Sequence, residues 1–398
     1  MAYQASQPVP SLHHHAESHE TRHVLIGIIA VFLGVAVGVL ALVAVWMGDS
    51  AHTAQRQAQA AADRVAAATS THGTAGMAGM SGMASSATAG VETPSFAGAA
   101  PANAEALAAA HKAYPAALPA LTPGPVVDVK LGISHVVLQI APGIRYNAWT
   151  FGGKAPGPVV HARVGQTVRV TLTNNSPMGH SVDFHAARIA PNVAFRDVDP
   201  GQSFTFSFKA TAPGVYMYHC GTKPVLAHIA NGMYGAIVVD PPAGTLPAAD
   251  REYVLVASEW YLGSDGLKQP AGLDMTKAHE MRPDWVTWNG YAGQYVTHPL
   301  MAMPGETVRF WVVDAGPSLN TAFHVVGTLL NRAWVNADMS QYQRDVQTAL
   351  VPAGGGGVFD VKIDEPGLYP VVSHSFASVD MGQVGLLNVG DVAGTISH

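Results

Sequence analysis

Four residues in the stretch VYMYHCGTKPVLAHIANGM, positions 215 to 233, can bind a soft metal ion: His219, Cys220, His228 and Met233. Cys220 is the only cysteine of the chain, so it cannot form an internal disulfide. A lone thiol is a small buried hydrophobe, a reactive nucleophile or a metal ligand. Its neighbours decide for the last of these. Upstream, HSVDFH at 180 to 185 adds His180, Asp183 and His185, within a chain that holds 19 histidines. Histidine is the commonest metal ligand in proteins.

Successive side chains of a strand point to opposite faces. His219 and Cys220 are adjacent at the end of a strand, so they serve different sites. By the same parity His180 and His185 face apart, whereas Asp183 and His185 share a face. One set is therefore His180, Cys220, His228 and Met233, the last two in a loop. Two imidazoles, a thiolate and an axial thioether make the trigonal site of a blue-copper electron carrier, its potential tuned by the methionine. A second free thiol would compete for the metal, which accounts for the single cysteine. The other set is His185 and His219 with Asp183 alongside. It is one ligand short. His374 is the first candidate for the missing ligand and His324 the next. His135, His161, His279 and His298 have no partner spacing and are read as structural.

The elements that must carry these residues repeat weakly. GPVVHARVGQTVRVTLTNN (157 to 175) parallels HPLMAMPGETVRFWVVDAG (298 to 316), with Val168, Val170 and Leu172 alternating as Val308, Phe310 and Val312 do. Period-two alternation is a half-buried strand. APGVYMYH (212 to 219) parallels EPGLYPVVSH (365 to 374), each a Pro-Gly turn feeding a strand. With 41 glycines and 27 prolines, the composition favours short strands and turns over long helices. The expectation is an all-β protein of two β-sandwiches, about residues 121 to 241 and 242 to 392.

Residues 1 to 23 form an N-terminal tail, and the uncharged run Val24 to Met47 is long enough to span a membrane as one helix. From 48 to 120 the chain turns to Ala, Gly, Ser and Thr and reads as a flexible linker. Met77, Met80 and Met83, with His72, lie in that linker, where thioethers could capture Cu(I) or stand by chance. The histidines at 13 to 15 are read in the same way. A net charge of −6 with 12% charged residues offers no basic surface for nucleic acid. The chemistry places the bulk of the chain outside the cytoplasm, where a copper thiolate is spared from cytosolic thiols.

From about residue 125 to 392 the chain resembles the two-domain copper nitrite reductases of the multicopper oxidase superfamily. The resemblance rests on His180, Asp183 and His185, on Tyr218, His219, Cys220, His228 and Met233, and on Phe323 with His324. It also rests on His374 in YPVVSHSF and on the glycine-rich QTALVPAGGGG, with Gln347 and Thr348. It implies two tandem cupredoxin-like Greek-key sandwiches and about two copper ions per chain. It also implies a homotrimer in which His374 completes the type 2 site of another chain. Ala227 stands where many members have Trp, the Cys220 to His228 loop is one residue shorter than in the best-known members, and SHSF replaces the usual Asn-rich surround of the last ligand. Val326, two residues after His324, fills the place that shapes the nitrite pocket.

The reaction implied is reduction of nitrite to nitric oxide, as in denitrification, with an electron passing from the type 1 to the type 2 copper through Cys220 and His219. Asp183 and His324 are the expected catalytic residues, supplying protons. The donor would be a small cupredoxin or a cytochrome c. Two alternatives are a laccase-like oxidase and a copper electron carrier without catalysis. Against the first, no His-x-His pair occurs outside the N-terminal HHH, and Gly221 follows Cys220.

Overall fold

The computed structural model describes residues 110 to 335 and 339 to 394, together with Ala106. The apolar run Val24 to Met47, the histidines at 13 to 15, and His72, Met77, Met80 and Met83 lie outside the described residues. Among the described residues no helix is long and apolar enough to cross a membrane.

The fold is mostly β-sheet. Its first half contains β1 (Val126–Ala141), β2 (Ile144–Phe151), β3 (Val160–Arg163), β4 (Thr167–Asn174), β5 (Asp183–Phe184), β6 (Ser203–Lys209), β7 (Gly214–His219) and β8 (Tyr234–Asp240). They form two sheets, in the orders β2-β1-β4-β6 and β3-β8-β7-β5. Along β4, Val168, Val170 and Leu172 are buried while Arg169 is exposed, the alternation that its sequence predicts. These residues share one apolar core with Phe184, Tyr218, Ile237, Val239 and Cys220 of the facing sheet.

The second half adds β9 (Arg251–Trp260), β10 (Trp285–Trp288), β11 (His298–Ala302), β12 (Thr307–Asp314), β13 (Thr321–Val325) and β14 (Leu330–Val335). It ends with β15 (Gln343–Val346), β16 (Ala349–Val351), β17 (Gly356–Lys362), β18 (Gly367–Ser373) and β19 (Val384–Val389). The sheet orders are β10-β9-β12-β17-β14-β15 and β11-β19-β18-β13-β16. Phe310, Val312, Phe323, Val325, Phe359 and Leu387 fill the core between them.

A further core matters most for the site. Val215 and Met217 of β7, with Ala236 and Val238 of β8, pack against Val254, Val256, Trp311, Val313 and Val358 of the second half. The sheet holding β7 is thus covered on both faces, which is why β7 and β8 read as nearly unbroken apolar runs. Odd-numbered residues of β7 face the second half. Even-numbered ones face the first core. That parity carries through to His219 and Cys220.

Two local features differ from the sequence reading. Residues 111 to 120 are packed rather than a free tether: Ala116 is buried, and Leu118 N–H donates to Glu252 O at 3.0 Å. Ala117 forms an antiparallel bridge with Tyr253. Prolines 115, 119 and 123 leave few backbone donors, so this edge contact carries no strand signal. His228 lies in a short helix, Val225–Ala230, rather than an open loop. Gly232, at φ +110°, then turns the chain into Met233 and β8.

Candidate metal centre

The first donor group lies at the end of β7, on the side of the first core. Cys220 Sγ is 3.2 Å from His228 Nδ1 and 3.8 Å from His180 Nδ1, and the two nitrogens are 3.0 Å apart. All three residues are completely buried, as is Met233. Backbone bonds fix the frame: Cys220 N–H donates to Met233 O, Met233 N–H to His228 O, and His180 exchanges both of its bonds with Val198. Ser181 N–H donates to Cys220 Sγ at 3.4 Å.

Burial lowers the His180 pKa to about 3, helped by His228 and His135, and that of His228 to about 4, opposed by Asp197. Burial pushes the Cys220 thiol up. The cavity therefore keeps both imidazoles neutral with bare lone pairs, but resists an uncompensated thiolate. A bound cation supplies what is missing. The two nitrogens and one sulfur form a soft donor set that fits copper.

The second group is on the opposite side of the same strand. Asp183 of β5 is the register partner of His219, and Asp183, His185 and His219 bring their ligating atoms within 4.8 Å of one another. His185 Nδ1 donates to Gly354 O and His219 Nδ1 to Cys220 O, both at 2.9 Å. Each neutral ring thus has its proton on Nδ1 and a bare Nε2. Those two Nε2 atoms face each other at 3.1 Å. Opposed lone pairs at that distance repel unless a cation lies against both, so the pair fits a metal ion. The His185 clamp comes from the glycine-rich turn of the second half, where Gly354 has φ +76°, a conformation that favours glycine.

The third group lies on the outer face of the second-half sheet. Phe323 and Val325 of β13 point into the core, leaving His324 on the other side. His324 Nδ1 donates to Gln347 O at 2.6 Å, and its ring centroid is 5.4 Å from that of His374. Val326 lines an adjacent apolar groove of about 760 Å³ with Val372, Phe376 and Leu386. Among the described residues, no hydrogen bond or ring contact joins His324 or His374 to Asp183, His185 or His219. The sequence reading missed two residues at the first group. His135 Nε2 lies 3.0 Å from His180 Nε2, and Trp149 packs on His228 at 4.9 Å between ring centroids. Neither has a spacing that a single strand's parity reveals, because they meet only when β1 pairs with β2.

A family model described as multicopper oxidase matches residues 133–244. That span covers both donor groups on β7. A copper-containing nitrite reductase of Neisseria gonorrhoeae is 40% identical over 269 residues, 66% of this chain and 68% of the relative. The chain belongs to the copper-containing nitrite reductase family. Two solved structures of copper nitrite reductases agree. That from Nitrosomonas europaea has a TM-score of 0.63 and 36% identity, covering 68% of this chain and 95% of the other. That from Thermus scotoductus SA-01 has a TM-score of 0.62 and 26% identity, covering 68% of this chain and 64% of the other. The protein is thus a copper-dependent nitrite reductase, an oxidoreductase acting on nitrite.

Proposed function

We propose that two copper ions act in each chain of this nitrite reductase. His180, Cys220, His228 and Met233 hold a type 1 ion, while His185 and His219 hold a type 2 ion with His374 of the partner subunit. The observation that carries this reading is the pair of bare Nε2 atoms of His185 and His219, 3.1 Å apart. Bound copper supplies one-electron redox chemistry at both sites and a Lewis acid for nitrite at the second. The overall change is nitrite plus one electron and two protons to nitric oxide and water.

The chain's own residues link, orient and protonate. His219 and Cys220 are consecutive, so one peptide unit joins the two ligand sets by the shortest covalent route. Asp183 stands opposite His219 across the β5–β7 pair and shares its donor group, where its carboxyl oxygens can hydrogen-bond a nitrite oxygen and deliver one proton. His324 donates from Nδ1 to Gln347, which leaves Nε2 as the atom to take up and pass on the other. Val326 shapes the substrate pocket beside it.

On this reading residues 121 to 241 and 242 to 392 are tandem cupredoxin-like Greek-key domains, and the working unit is a homotrimer. The apolar groove beside His324 and His374 gives a second copy a surface to cover, and among the described residues no group of three ligating side chains includes His374. The run Val24 to Met47 anchors the enzyme, with its catalytic domains outside the cytoplasm, and a small cupredoxin or cytochrome c delivers the electron for denitrification. Copper counting together with the mass of the native assembly tests the proposal. It expects about two copper ions per chain in a trimer. One ion per chain in a monomer would contradict it.

A further inference from the structure

The two histidines of the buried group are anchored unequally. The far nitrogen of His228, Nε2, is buried with no hydrogen-bond partner among the described residues. That of His180 meets Nε2 of His135 at 3.0 Å. His135 lies outside the donor group, so no metal ion stands between these two nitrogens, and at that distance one must carry the proton and the other accept it. His180 Nδ1 converges with Cys220 Sγ and His228 Nδ1, so it is the ligating atom and must be bare. The proton of His180 therefore sits on Nε2, and His135 Nε2 is the acceptor.

We propose that His135, which belongs to neither ligand set, is a positioning residue of the buried copper site. By accepting the His180 Nε2–H it fixes the tautomer and ring plane of that ligand. His135 is itself held: its ring stacks on Trp149 at 5.1 Å and 12° between planes. Trp149 in turn packs its ring against both ligand histidines, at 5.6 Å from His180 and 4.9 Å from His228. His135 and Trp149 are register partners on β1 and β2, so the hairpin carries a preformed brace to the site. Because His228 has no comparable anchor, the hydrogen bond that His180 donates to His135 is the only polar restraint on the far side of either imidazole among the described residues. The assignment rests on the copper reading of this group.

Two variants of similar size separate the acceptor from the stack. Both His135→Gln and His135→Leu lose the aromatic contact with Trp149, but only Gln can present an acceptor oxygen to His180. The copper affinity of the buried site is measured by competition with a Cu(I) chelator, alongside the thiolate-to-copper absorption band, the reduction potential and the urea midpoint of the copper-free protein. His135→Leu is expected to weaken affinity by about 10- to 100-fold, with a shifted band and potential and little change in the urea midpoint. His135→Gln is expected to stay within about threefold of the parent. Parent-like affinity, band and potential in His135→Leu would overturn the proposal, as would equal losses in the two variants. If the parent protein shows no thiolate-to-copper band at all, the copper reading fails before His135 is tested.

Discussion

His219 and Cys220 are consecutive residues whose side chains leave β7 on opposite faces. Cys220 joins the buried pair His180 and His228, and His219 meets His185 on the side of the second half. The two covered faces of that sheet produce this split. Met217 and His219 look toward one core, while Tyr218 and Cys220 look toward the other. Neighbouring positions thereby enter two donor groups joined by one peptide unit.

Asp183 shares a donor group with His185 and His219, and the role proposed for its carboxyl is to deliver a proton. Asp183→Asn is expected to retain the copper content and absorption spectrum of the parent while nitrite reduction falls by about 10²- to 10⁴-fold. Anaerobic nitrite consumption against metal analysis checks this. Unchanged turnover would remove Asp183 from the mechanism.

Among the described residues no group of three ligating side chains includes His374, so the proposed second site should complement between chains. His374→Ala and His219→Ala are each expected to lose nearly all activity as pure assemblies. Co-expressed in one cell, they should form mixed trimers that recover part of it, since an intact His185–His219 pair can meet an intact His374. No recovery in mixed assemblies isolated by two affinity tags would show that His374 acts within its own chain or not at all.

Acid should destabilise the copper-free protein through the buried histidines. His180 and His228 titrate at about 3 and about 4 in the folded state, because burial disfavours the imidazolium. In the unfolded chain they titrate near 6.5. Between those values the unfolded chain binds more protons, so stability falls as pH drops from 7 through 6.5 toward 4. His180→Gln is expected to make that fall shallower by about one proton. Urea midpoints of the copper-free proteins across this range measure it, and identical pH slopes for parent and variant would contradict the assignment.

The grouping of His180 with Cys220, and of Asp183 and His185 with His219, was legible because strand parity depends only on local geometry, and DFH and YHC lie on or beside single short strands. The paired sheets of each half were legible from alternation such as that of Val168, Val170 and Leu172. What was not legible depends on pairing between distant segments. His135 reaches His180 only through the β1–β2 hairpin. The carbonyl that orients His185 comes from Gly354, 169 residues further along. Ala117 joins the body by bridging Tyr253, in a proline-broken segment whose composition resembles a tether. The helix that carries His228 leaves no signal in the sequence, because six residues are too few to show a period.

If His219 and Cys220 hold different metal ions, copper analysis of Cys220→Ala and His219→Ala, each with an absorption spectrum, separates the two sites. Cys220→Ala should lose the thiolate-to-copper band and about one of two ions, while His219→Ala should keep the band and lose the other ion. Loss of both ions in either variant, or loss of the band in His219→Ala, would show that the two side chains share a single site.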